Sequence, residues 1–246
     1  MRKVFIFMIA LLAIGAKAQN QPKKQVQQQA QPPVSQTQPQ RPVNPLTEHF
    51  VRKNTLASRW NDLEQAKDAL YDLIAENPGN DSLIYSLAVY YYENRQYVSS
   101  VLVTQDLLTR NPKDESLLQL AASGYEALGL KDKALANYES IYLQNTSIAL
   151  LYKMAVLQYD LKKFVESQTN TDILLTKHDI DSMKVTVSGE TESKQKEYPL
   201  KASILNLKGL LALQGNDKAG AKKAFEESLV LAPDFPLAKE NLAKFK

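Results

Sequence analysis

Apolar residues between about residue 45 and the end of the chain recur with the three- and four-residue spacing of helices. Two of these apolar runs end at Asn77-Pro78 and Asn111-Pro112, and a third ends at Ala232-Pro233. The first two prolines are 34 residues apart. A fixed spacing of this length predicts a series of similar helical hairpins.

Counting back from the prolines gives units at about 47–80, 81–114 and 115–147. The second and third units have small residues at their eighth and twentieth positions, namely Ala88 and Ser100, then Ala122 and Ala134. Small residues at these positions let the two helices of a hairpin approach closely. The sequence therefore predicts tightly packed helix pairs.

Two further units follow from comparing the chain with itself. Residues 87–100 and 154–167 match in the order of small, aromatic and polar residues, which places a fourth unit at about 148–177. A fifth unit, at about 201–234, contains Leu207, Ala221, Phe225, Ser228 and Pro233. We expect one extra residue in its inter-helix turn.

These spacings resemble the tetratricopeptide repeat (TPR), and the resemblance covers about residues 47–245. It implies an all-α fold, a right-handed TPR solenoid of about five helical hairpins with a capping helix at 236–245. The first unit departs from the pattern, because Lys53 and Asn54 stand where apolar residues are expected. We expect its first helix to be a divergent cap, with Trp60 packing at the hairpin turn.

Residues 178–200 interrupt the array. Lys184 to Val187 alternate as in a strand, Ser188-Gly189 can form a turn, and residues 194–198 can return as a second strand. This predicts a small β-hairpin insertion. It is either a decorative loop or a contact for a specific partner, and it would pack on the solenoid or on that partner because an isolated hairpin is marginally stable.

The N-terminal residues differ in composition from the rest. Residues 1–18 have a basic start, an apolar run of about 11 residues and the sequence Ala16-Lys17-Ala18, which is typical of a cleaved signal peptide. We expect cleavage after about Ala18, export to the periplasm, and no integral membrane span in the mature protein. Residues 19–45, rich in Gln and Pro, predict a disordered linker before a TPR domain at 46–246.

Charge and cysteine content narrow the function. The chain has no cysteine, which excludes disulfides and a lipoprotein anchor. Six of the 30 basic residues lie in the first 45, where there is no acid, so 24 basic and 27 acidic residues remain. This slightly acidic domain is not typical of nucleic-acid binding.

We expect no enzyme activity, cofactor or metal. The chain has no nucleophile-elbow, phosphate-loop or zinc-protease motif. His178 with Asp179 and Asp181 is better explained as a solvated loop than as a metal site. Residues 226 and 227 are glutamates that stand four residues after lysines, the spacing of surface ion pairs on a helix.

The resemblance implies that the first helix of each unit lines a concave, partner-binding groove. The expected groove residues are Tyr85, Val89, Tyr92, Gln119, Ser123, Glu126, Tyr152, Val156 and Tyr159. Several are tyrosines, which are enriched at binding surfaces, although core packing would also explain them. The second and third units lack the Lys and Asn residues of a Hsp70/Hsp90-type carboxylate clamp.

The sequence therefore predicts a scaffold or adaptor of the bacterial cell envelope that binds another protein, as a peptide or helix, in an aromatic groove. The alternative is a structural envelope protein that self-associates or binds peptidoglycan or another polysaccharide.

Overall fold

The computed structural model describes residues 44–188 and 195–245. The elements are, in order, α1 (Pro45–Arg59), α2 (Leu63–Glu76), α3 (Asp81–Glu93), α4 (Tyr97–Arg110), α5 (Glu115–Ala127), α6 (Lys131–Tyr142), α7 (Ile148–Asp160), α8 (Phe164–Leu175), a 3-10 helix (His178–Asp181), β1 (Lys184–Ser188), β2 (Gln195–Pro199), α9 (Leu200–Gln214), α10 (Lys218–Leu231) and α11 (Pro236–Ala243). The prediction of an all-α array with a small hairpin insertion is confirmed. The predicted signal peptide and nearly all of the predicted linker lie outside the described residues.

The chain forms two compact units. Of the described residues, the N-terminal unit contains 44–90, and the C-terminal unit contains 91–188 and 195–245. The division falls within α3.

In the N-terminal unit, α1 packs against α2. Helix α1 begins at Pro45 because the side chain of Asn44 accepts a hydrogen bond from the Leu46 amide (3.1 Å) and caps the helix. The start lies two residues before the predicted unit. The amide of Asn54 donates to the carbonyl of Ala66 (2.8 Å), so a polar contact joins the helices at a position where other units have small residues.

Trp60 does not pack at the hairpin turn as predicted. The residue is 70% exposed, so this expectation is wrong. It follows the last residue of α1, at the C-terminal cap of that helix. A single exposed aromatic residue is ordinary on a protein surface and implies no function by itself.

The turns within the five hairpins share one backbone geometry. In each, the second residue after the first helix has a left-handed conformation with φ between 56° and 74°: Asn61, Arg95, Gly129, Lys162 and Asn216. The fifth turn is as long as the others, so the predicted extra residue is absent. Counting from this turn puts Gly209 at the eighth position, where a β-carbon would lie only 2.4 Å from the Phe225 ring.

Consecutive helices pack on one another through the C-terminal unit, from α4 to α11. The small residues at the eighth and twentieth positions of the third and fourth hairpins, which are Ala122, Ala134, Ala155 and Ser167, are fully buried. Ser167 Oγ also donates to the carbonyl of Ala155 (2.7 Å). The close helix contact predicted from residue size is confirmed, and a hydrogen bond reinforces it in the fourth hairpin.

The β-hairpin packs on the last helices. β1 and β2 are antiparallel, with Val185 opposite Tyr198. Val187 and Tyr198 are buried in one cluster with Ala232, Phe235 and Ala238. The two described strands are therefore part of a hydrophobic core, as expected of a hairpin that packs on the solenoid.

In the described part of the chain, no helix combines the length and apolar character needed to span a membrane.

Candidate partner-binding surface

Each of the nine predicted groove residues is half-buried. Tyr85 and Val89 lie on α3 in the N-terminal unit. The other seven lie in the C-terminal unit and are called here the first-helix surface: Tyr92 on α3, Gln119, Ser123 and Glu126 on α5, and Tyr152, Val156 and Tyr159 on α7. Partial exposure leaves these side chains accessible to a ligand.

A hydrogen-bonded polar cluster surrounds Glu126. The hydroxyl of Tyr138 donates to Glu126 Oε2 (2.8 Å), and Lys153 Nζ donates to Oε1 (3.1 Å) and to Oε2 (3.0 Å). On the same helix as Glu126, the amide of Gln119 donates to Ser123 Oγ (3.2 Å). Contacts from α6 and α7 therefore fix the orientation of the Glu126 carboxylate.

Lys153 was not identified from the sequence as a site residue. It is buried, and its ammonium group lies 5.8 Å from the centre of the Tyr138 ring, in addition to its bonds with Glu126. A lysine is rarely buried without a partner. The position of Lys153 within the apolar run IALLYKMAVL could have indicated a buried ion pair, because a buried lysine requires a nearby acceptor.

Burial raises the pKa of two tyrosines of this surface region, Tyr138 and Tyr92. The pKa of Tyr138 is raised well above its ordinary value, first by burial and then by the negative charge of Glu126 and the hydrogen bond to it. The pKa of Tyr92 is also raised by burial, and interaction with Ser123 offsets part of the rise. Both phenols are therefore neutral hydrogen-bonding groups at physiological pH.

The α7 part of the first-helix surface packs on a second core. Tyr152, Val156 and Tyr159 contact a cluster that includes the α9 residues Leu200, Ile204, Leu207 and Leu211. Burial raises the pKa of Tyr152 to about 12, and the neighbouring Ser203 hydroxyl offsets part of the rise. The hydroxyl of Tyr159 accepts a long hydrogen bond from the Gln214 amide (3.4 Å). These residues thus combine core packing with partial exposure.

The surface offers hydrogen bonds and aromatic contact. Among the described residues, no group of three His, Cys, Asp or Glu side chains is arranged to hold a metal ion.

The predicted surface ion pairs of α10 are present, with Lys222 Nζ 3.8 Å from Glu226 and Lys223 Nζ 3.9 Å from Glu227. These carboxylates are engaged on an exposed helix face.

Comparison with solved structures gives the fold. YrrB, described as a TPR protein with an unusual peptide-binding site, has a TM-score of 0.59 at 13% identity, over 80% of this chain and 91% of that chain. A crystal structure of MamA has a TM-score of 0.56 at 12% identity, over 82% of this chain and 96% of that chain. MamA from Desulfovibrio magneticus RS-1 has a TM-score of 0.56 at 10% identity, over 78% of this chain and 98% of that chain. This chain has the TPR fold.

The TPR fold fits the repeated hairpin turns and the small residues between paired helices. No protein-family profile and no curated protein sequence matches the chain. Counted in TPR units, Lys153 stands at the sixth position of the fourth unit, one of the positions where a carboxylate clamp carries polar residues. Here its ammonium group is already paired with Glu126.

Proposed function

We propose that this protein is a scaffold of the bacterial cell envelope, and that it binds a peptide or helix of another protein through the first-helix surface. The observation that carries the proposal is the Glu126 cluster, in which buried groups hold a partly exposed carboxylate beside half-buried tyrosines. A surface ordered before binding loses less conformational entropy when a partner arrives.

The tyrosines support the same proposal. Tyr92, Tyr152 and Tyr159 present large aromatic side chains with few rotatable bonds, a residue type that is enriched at protein interfaces. Their partial burial restricts them further. YrrB, whose fold is similar, is described as having a peptide-binding site. A protein segment with apolar or aromatic side chains is therefore the proposed ligand.

Site-specific photocrosslinking in the producing cell tests this proposal. A photoreactive amino acid replaces Gln119 or Val156 on the first-helix surface, and the matched control replaces Val165 on α8, which is 78% exposed. We expect positions 119 and 156 to crosslink to the same protein and position 165 to give no such product. Equal labelling from position 165, or no product from 119 and 156, would contradict the proposal. A product formed with a second copy of the chain would favour self-association instead.

The envelope location rests on the composition of residues 1–18, so it needs its own test. We expect the protein in the periplasmic fraction, with an N-terminus near Gln19 by mass spectrometry. An intact N-terminus on protein from the cytoplasmic fraction would contradict export while leaving the binding surface unaffected.

A further inference from the structure

The two partners of the Glu126–Lys153 ion pair differ in exposure. The side chain of Glu126 is 25% exposed, whereas that of Lys153 is 7% exposed. The acid is therefore the member of the pair that a ligand can reach.

The carboxylate also has hydrogen-bonding capacity left. A carboxylate has about four lone-pair sites. Oε2 accepts bonds from Tyr138 and Lys153, whereas within the described part of the chain Oε1 accepts a bond only from Lys153. One acceptor site on Oε1 thus remains for a donor from a ligand.

The sign of the accessible charge selects the kind of donor. A cation at Oε1 would be closer to Glu126 than to Lys153, so attraction would exceed repulsion. An anion would be repelled by Glu126. It could reach the more deeply buried Lys153 only by displacing the Glu126 side chain. The excess of acidic over basic residues after residue 45 favours the same choice.

We propose that Glu126 is a specificity site that accepts a cationic side chain, Arg or Lys, from the bound segment. The inference rests on the proposed function, since it names the partner chemistry of the same surface. Tyr92, on α3, contributes an aromatic ring to the same first-helix surface as Glu126. Aromatic rings attract a guanidinium or ammonium group that contacts their faces.

Small probes test the site without a known partner. The full-length mature protein is titrated with ethylguanidinium, propionamide or propionate at constant ionic strength, and amide shifts of residues 119–126 are followed by NMR. We expect saturable shifts with ethylguanidinium, weaker shifts with propionamide and none with propionate. Equal responses to the three probes, or no saturable response to ethylguanidinium, would overturn the proposal.

Two variants assign the response to the carboxylate. Glu126→Gln with Lys153→Met removes both charges without leaving either unpaired, and it should weaken ethylguanidinium binding about tenfold. The control, Lys131→Met with Asp160→Asn, removes an exposed ion pair between α6 and α7 (2.5 Å) and should leave binding unchanged. Circular dichroism verifies that both variants are folded. Unchanged binding in the Glu126 variant would refute the assignment.

The probe experiment and the crosslinking experiment can fail independently. Probe binding without crosslinks would leave a cation site that no protein partner occupies in the cell, and would refute its role in recognising a segment. Crosslinks without probe binding would support the scaffold and refute the cationic contact.

Discussion

The rings of Tyr198 and Phe235 lie with their centres 5.0 Å apart, which joins β2 to the segment before α11. Lys196 and Asp234 form an ion pair beside these rings. The two contacts connect the hairpin to a turn almost forty residues later in the chain. The hairpin therefore stabilises the C-terminal end of the array through side chains that bridge distant parts of the sequence.

Removing the Tyr198 ring should destabilise the protein. Tyr198→Ala leaves a cavity beside Phe235, and we expect a loss of about 3 kcal/mol in the free energy of unfolding. Urea denaturation measures the change. Thr186→Ala, on the same hairpin but half-buried outside that cluster, is the control. A similar small loss in both variants would show that the hairpin contributes little to stability.

The Glu126–Lys153 pair should show strong coupling. Glu126→Ala leaves the ammonium group of Lys153 buried without its acceptor, so we expect a loss of about 3–5 kcal/mol in stability. Replacing both residues, Glu126→Gln with Lys153→Met, should cost far less because no buried charge remains unpaired. Chemical denaturation of Glu126→Gln, Lys153→Met and the variant with both substitutions gives the coupling energy. Additive losses would mean that the two residues are energetically independent.

The hairpin turns can be tested at two equivalent positions. Gly129 has a φ of 74° and open space around its α-carbon, so Gly129→Ala should cost about 1 kcal/mol through backbone strain alone. Lys162 has a φ of 62°, and Lys162→Gly should be neutral or stabilising by up to about 1 kcal/mol. Thermal unfolding compares the variants. A stabilising Gly129→Ala or a destabilising Lys162→Gly would contradict the expected strain at the left-handed turn position.

Local patterns predicted most of the fold. Helix periodicity and the repeated small residues predicted the helical hairpins, because both patterns reflect contacts between neighbouring residues or neighbouring helices. Lys153 was missed because its acceptor lies 27 residues earlier, on another helix. The contact of Tyr198 with Phe235 was not predicted for the same reason. Trp60 was expected to pack at the hairpin turn, but a large apolar side chain can also remain exposed.

The raised pKa of Tyr152 predicts a loss of stability at high pH. The neutral phenol is favoured in the folded protein, so unfolding releases a proton above the ordinary tyrosine pKa near 10. The contribution of Tyr152 is complete below about pH 10 and is lost as the pH rises through about 12. Urea unfolding between about pH 8 and 12 should show a steeper fall for the wild type than for Tyr152→Phe. If the unfolding free energies of the two proteins fell in parallel with pH, the raised pKa of Tyr152 would be contradicted.

The bridge between the β-hairpin and the α10–α11 turn also affects how the array opens. In a stack of hairpins, terminal elements are held by one neighbour only and can fray separately. Here α11 is only eight residues long, but Phe235 and Ala238 share a core cluster with the hairpin. The end helix is thereby joined to the strands and to the start of α9, and we expect β1, β2 and α11 to exchange their amide protons as one cooperative block.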